Sequence, residues 1–74
     1  MDIPPEARER ILERLRAYRT DLEDRIAFLE SGRARIQVEH EGEWVDGTRT
    51  AVTNLYRQYG DLGALLNDIA SGRI

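Results

Sequence analysis

The spacing of apolar residues changes period twice along this 74-residue chain, and those two changes restrict its fold more than any other feature. From about Pro4 to Ser31, the residues Ile11, Leu15, Tyr18, Leu22, Ile26 and Leu29 step by three or four, which places them on one face of a helix. From Arg33 the period is two: Ala34, Ile36 and Val38 alternate with Arg33, Arg35, Gln37 and Glu39, as a half-buried strand requires. Past the middle of the chain the helical spacing returns through Val52, Leu55, Tyr56, Tyr59, Leu62, Leu66 and Ile69. The expected class is α+β in one domain, 1–74: a long N-terminal helix over about 4–31, a two-stranded antiparallel hairpin over about 33–48, and a C-terminal helix over about 50–70.

Local chemistry punctuates these segments. Asp2, Pro4, Pro5 and Glu6 suit a first helical turn, where prolines lose no bonded N–H and acids meet the positive dipole end. Gly32 suits the left-handed position just past the helix, and the same ending recurs as LESGR and IASGR, which reads as shared C-cap chemistry. At ~1.5 Å per residue the first helix would run about 40 Å, long for so small a domain. Glu6 with Arg10, Glu9 with Arg16 and Asp21 with Arg25 read as a solvated charged face.

Glu41-Gly42 reads as a two-residue hairpin turn, which sets His40 opposite Glu43, Glu39 opposite Trp44, Val38 opposite Val45 and Ile36 opposite Gly47. Val38, Val45 and Ile36 then share a face expected to be buried, while Trp44 emerges on the other with Arg35 and Gln37. Thr48 or Thr50 is the expected cap of the second helix. Gly60 and Gly63 each cost ~1 kcal/mol relative to alanine, so helix is expected to Tyr59, with a weaker, kink-prone continuation to Ala70. Tyr56 and Tyr59 are expected in the core with their hydroxyls reaching water.

Composition narrows the function. A chain of 8.5 kDa hides only ~60% of its unfolded surface on folding, which leaves little room for a substrate pocket. It has no cysteine and no lysine, so disulfide scaffolds, thiolate metal sites, cysteine nucleophiles, Schiff-base lysines and P-loops are excluded. The two serines, Ser31 and Ser71, read as helix-end residues, and His40 falls in a turn, so no nucleophile and base pair up. His40 and Glu43 converge at most as two ligands, too few for a metal. No catalytic residue, cofactor or metal is therefore expected.

The net charge is -3, and all of it lies in the second half: residues 1–37 carry eight arginines and eight acids, residues 38–74 three and six. That balance argues against specific DNA binding, although Arg33, Arg35 and Arg49 around the hairpin are the groups a nucleic-acid binder would use. The all-arginine cation set fits either bidentate recognition or the codon bias of a GC-rich genome. No membrane span is expected, and the acidic, proline-bearing start is unlike a signal peptide, so the protein is expected to stay where it is made.

From Leu29 to Leu62 the chain resembles the gpW family of phage head–tail joining proteins. The likeness rests on Leu29, Gly32 followed by the basic Arg33, Val38, Gly42 in the turn, Val45, Thr48, Thr50, Val52, Leu55 and Leu62. It covers under half of the chain, and most of these positions determine fold rather than activity. Three features depart from the family: a longer first helix, Trp44 and Gly47 in the second strand, and Gly60 and Gly63 in the last helix. The resemblance implies a virion structural protein made in the bacterial host cytoplasm, monomeric alone. It would assemble as a ring of twelve on the portal protein after DNA packaging and offer a surface to the next connector or tail protein.

On that reading Arg35, Trp44, Arg49, Arg73 and Ile74 are the candidate partner interface, and Glu39, Glu41 and Glu43 the candidate channel-facing acids. Acids lining a channel repel phosphate and let DNA slide; the alternative is an acidic turn in ordinary water. Trp44 has two readings as well, an interface anchor on the outer face or a core residue under the first helix. The alternative function is a small helical interaction module, an antitoxin or coiled-coil adaptor acting as a dimer, which rests on the long amphipathic first helix.

Overall fold

The computed structural model describes residues 3–73 and has the element order α1 (Pro5–Glu30), β1 (Gln37–His40), β2 (Glu43–Asp46) and α2 (Thr48–Ala70). The class is α+β, with two helices and a two-stranded antiparallel hairpin between them. Asp2 and Ile74, each assigned a place at the sequence level, lie outside the described residues.

α1 begins where two prolines remove N–H groups that no carbonyl would have met, and its ladder starts with the Arg8 N–H donating to the Pro4 carbonyl at 2.9 Å. Both helices end on the repeated Ser-Gly-Arg. At the end of α2 the Gly72 N–H donates to Ile69 (3.2 Å) and the Arg73 N–H to Asp68 (2.9 Å), the paired closure of a Schellman end, with Gly72 at φ 81°. At the end of α1 the Gly32 N–H donates to Leu29, while the Ser31 hydroxyl donates to Phe28 at 2.6 Å and accepts from the Arg33 N–H. The shared ending is shared capping chemistry, with a serine bridge substituting for one backbone bond in the first case.

The helices lie antiparallel and pack through two matched seams, each stepping by three and four: Leu12, Leu15, Arg19, Leu22, Ile26 and Leu29 on α1, and Val52, Leu55, Tyr59, Leu62, Leu66 and Ile69 on α2. Leu12, Leu22, Leu62, Leu66 and Ile69 form the core, with Leu15, Leu55 and Tyr59 against it, and Leu22 is fully buried. The sequence reading ran the α1 face through Ile11 and Tyr18 as well as Leu15, Leu22, Ile26 and Leu29, and the last four do face α2. At the other two the structure turns that face by one residue, so that Leu12 and Arg19 meet α2 while Ile11 and Tyr18 stay exposed. The apolar arc of α1 is wider than one neighbouring helix covers, and a strict three-four repeat is the line that stays beneath it.

An arginine fits in this seam because of a glycine opposite. A Cβ on Gly63 would sit 3.0 Å from Arg19 Nη2, and the guanidinium lies 4.2 Å from the centre of the Tyr59 ring, a cation–π contact. α2 runs unbroken through Gly60 and Gly63 to Ala70, against the expected weakening after Tyr59. Packing of Leu62, Leu66 and Ile69 on α1 outweighs the propensity cost of two glycines.

The hairpin has the expected register: Gln37 with Asp46, Val38 with Val45, Glu39 with Trp44 and His40 with Glu43. Glu41 (φ 51°) and Gly42 (φ 82°) make a type I′ turn, whose twist matches the strands. The expected burial of one face fails. Every strand residue is exposed, with Val38 at 46% and Val45 at 41%, and only Ile36 is half-buried. The ribbon starts where α1 has ended, so no helix lies over either of its faces.

A small joint holds its base. The Ile36 N–H donates to Thr48 Oγ1 at 2.8 Å, the Gly47 N–H to the Ile36 carbonyl at 2.7 Å, and the Thr48 N–H to Asp46 Oδ1 at 2.9 Å. Gly47 lies so close to Val38 that a Cβ there would meet its methyls at 3.1 Å. Thr48 is therefore the first residue of α2 and a clasp to β1, not its cap: Gly47 holds the N-cap position without a side-chain bond, and Asp46 takes up the helix N–H instead.

The molecule measures 50 × 25 × 15 Å with a radius of gyration of 16.5 Å, against about 11 Å for a compact chain of this length. Its accessible surface is 5914 Å², where a compact monomer of this mass exposes about 4,700 Å².

Candidate functional site

Trp44 is 68% exposed, the most exposed large apolar residue described, which decides against a place in the core. It shares a ribbon face with Gln37, Glu39 and Asp46, because its cross-strand partner is Glu39 and alternate strand residues point the same way. Arg35 is not free beside it: Nη1 lies 2.8 Å from Asp46 Oδ2. Hydrogen bonds from Thr48, with the Arg35 charge adding to them, hold the Asp46 carboxyl below the usual aspartate range.

Glu39, Glu41 and Glu43 are all exposed but do not form one surface. Glu39 is beside Trp44, Glu43 lies on the opposite face with His40, and Glu41 sits in the turn between them. Among the described residues no three histidine or acidic side chains gather in a way that could hold a metal ion. Ser31 and Ser71 direct their hydroxyls to helix-end carbonyls.

The candidate partner residues do not come together either. Arg35, Trp44 and the exposed Arg49 lie at the ribbon end. Arg73 lies past the far end of α2, roughly 35 Å away along the helix, tied to Asp68 (3.6 Å) and to the Ser71 hydroxyl (3.1 Å).

The two flanks of the helix pair differ in kind. On one, Tyr59 donates to Glu23 Oε1 at 2.7 Å, Tyr56 donates to Glu30 Oε1, and Arg19 stacks on Tyr59. These bonds push both phenol pKa values up from their ordinary position, since each carboxylate accepts from the neutral phenol. Tyr59 packs against the core as expected while Tyr56 stays exposed, and both hydroxyls, expected to reach water, latch across to glutamates of α1. The opposite flank has a groove of about 460 Å³ lined by Phe28, Leu29, Ile36 and Leu55, with Arg25 and Gln58 on its rim.

Ile11 extends this second flank, five helical turns before Leu29, and Leu65 extends it two turns beyond Gln58. Ile11 (38%), Tyr18 (48%), Phe28 (50%) and Leu65 (38%) are its exposed apolar residues. Sequence reasoning passed over Phe28 and Leu65 because neither falls on the main stripe. The available signal was a large apolar residue off the stripe of an otherwise polar face.

No protein-family model, curated protein or solved structure matches the chain. No helix among the described residues is long and apolar enough to cross a membrane. Two surfaces stay exposed among the described residues: an acidic ribbon with one large aromatic, and an apolar groove beside the Arg25–Asp21 pair.

Proposed function

We propose that the chain is a structural subunit of a phage or prophage head–tail connector. It assembles as a ring on the portal protein after DNA packaging and gives the next connector or tail protein its docking surface. The observation that carries this reading is the exposed ribbon: a helix–hairpin–helix domain that holds out two strands and Trp44 with no other described element covering them. A two-stranded ribbon is marginal alone, so an exposed one is suited to becoming ordered against a partner. The resemblance over residues 29–62 supplies the identity of that partner, the ring of twelve and the monomeric free state.

In this reading the turn that carries Glu41 points into the DNA channel, with Glu39 and Glu43 on the two ribbon faces behind it, and the acids keep phosphate from sticking. Specific DNA binding forms no part of the role. The dimeric adaptor reading loses its main support, because the seam of α1 that a coiled-coil partner would use is occupied by α2 of the same chain.

Deletion of the reading frame from the phage or prophage that carries it provides the test. DNA-filled heads without tails, restored to infectivity by the purified protein, are the expected result. Normal tailed particles from the deletion would overturn the proposal.

A further inference from the structure

We infer that the ribbon is a hinged arm: it opens and closes as a unit of its own while the helix pair stays folded, and the Asp46 carboxylate is the pin that holds it shut. The inference concerns the fold itself and does not depend on the connector reading.

The chain crosses between helices and ribbon at two places, the stretch 31–36 that leads from α1 into β1 and the single residue Gly47 that leads from β2 into α2. Among the described residues Asp46 is the only ribbon side chain that hydrogen-bonds to anything outside the ribbon, and it does so at both crossings. Its Oδ2 accepts from Arg35 Nη1 at 2.8 Å on the way in, and its Oδ1 accepts from the Thr48 N–H at 2.9 Å on the way out. One carboxylate therefore fixes the arm to both of its pivots.

The rest of the joint is polar as well. The Ile36 N–H donates to Thr48 Oγ1 and the Gly47 N–H to the Ile36 carbonyl, while Val38, Trp44 and Val45 stay in water. Opening the arm breaks bonds that water replaces, whereas parting the helices exposes Leu22, Leu62, Leu66 and Ile69. Elements with few buried apolar contacts open at lower free energy than the core, so the two events separate. In the open state the helix pair is complete and both strands are free to be laid against a partner.

Amide hydrogen exchange, followed by NMR on the full chain, reads both units at once. The Gly47 bond makes Ile36 and Gly47 a hydrogen-bonded pair, and alternation along the ladder makes Val38 with Val45 and His40 with Glu43 the next two. The amides of Val38, His40, Val45 and Gly47 thus report the ribbon, and those of Leu22 and Leu62 the helix pair. The ribbon amides should form one set, protected at least about tenfold less than the helix set. Low urea should lower the helix set and leave the ribbon set in place, because opening the arm exposes little surface. Ile69→Val, a mild change in the core, should do the same. Ribbon and helix sets that fall together under both perturbations would overturn independent opening, as would ribbon amides with no protection at all.

Asp46→Ala should lower protection of the ribbon set about tenfold, and Arg35→Gln by less, since it removes an exposed ion pair and leaves the Thr48 bond. The helix set should drop by the same factor in each variant, because global unfolding starts from the same closed state. Ribbon protection unchanged in Asp46→Ala would overturn the pin, whether or not the helix set falls, since the carboxylate would then serve α2 alone. The connector reading is tested separately, by the deletion phenotype.

Discussion

Two glycines one turn apart in α2 should respond unequally to the same substitution. Gly60 is exposed, and a Cβ there would meet nothing within 4 Å, so Gly60→Ala collects the full helix-propensity gain of ~0.8–1.0 kcal/mol. For a domain of this size that is a rise of about 4–8 °C in melting temperature. Gly63→Ala gains the same propensity, but its Cβ would lie 3.0 Å from Arg19 Nη2 and 3.4 Å from Cζ. The guanidinium must give by a few tenths of an ångström, which strains its ~0.5–1 kcal/mol cation–π contact with Tyr59. That cost offsets part of the gain, and the melting temperature should rise less than in Gly60→Ala. Thermal and urea unfolding of both variants read the difference directly. Repeating Gly63→Ala in an Arg19→Ala background should recover the gain seen at Gly60, because the neighbour that opposed it is gone. A Gly63→Ala variant as stabilised as Gly60→Ala with Arg19 in place would refute the account of this seam.

Thr48→Val should cost ~1–3 kcal/mol, since it leaves the Ile36 N–H without its 2.8 Å acceptor, whereas Thr48→Ser keeps the bond; equal melting temperatures for the two would contradict the clasp. Both tyrosine pKa values are raised in the fold, so their contribution is complete below ~10 and is lost as pH climbs through the raised values. Urea midpoints should therefore fall steeply at strongly alkaline pH, and Tyr56→Phe with Tyr59→Phe should flatten that fall. Trp44→Ala should abolish particle assembly yet cost about 1 kcal/mol or less, because two thirds of the side chain is already in water; a collapse in melting temperature would return Trp44 to a structural role. Reversing Glu41 and Glu43 to lysine should impair DNA passage or retention with the fold intact, and undiminished infectivity would remove these acids from the channel wall.

The changes of period located all four elements, and Glu41-Gly42 set the register correctly because a two-residue turn leaves one pairing. What periodicity could not carry was which neighbour lies over each face. The stripe through Ile11 and Tyr18 is as regular as the one through Leu12 and Arg19, and only the position of α2, with a glycine opposite the arginine, separates them. Alternation in Ile36, Val38 and Val45 marks a face able to be buried, but only Ile36 at its base is half-covered, and Val38 and Val45 stay exposed. Thr48 looked like a cap because threonine suits that position in general, whereas here its hydroxyl is claimed by Ile36, twelve residues away in sequence. Trp44 was legible as a candidate site; the groove was not, since Phe28, Ile36 and Leu55 come from three segments and converge only in three dimensions.

Electron microscopy of the particle neck tests the central claim most directly. The account expects a ring of this chain stacked on the portal, with the ribbons and Trp44 covered by a neighbouring protein. Particles whose portal is followed by another protein, with this chain absent from the neck, would contradict it.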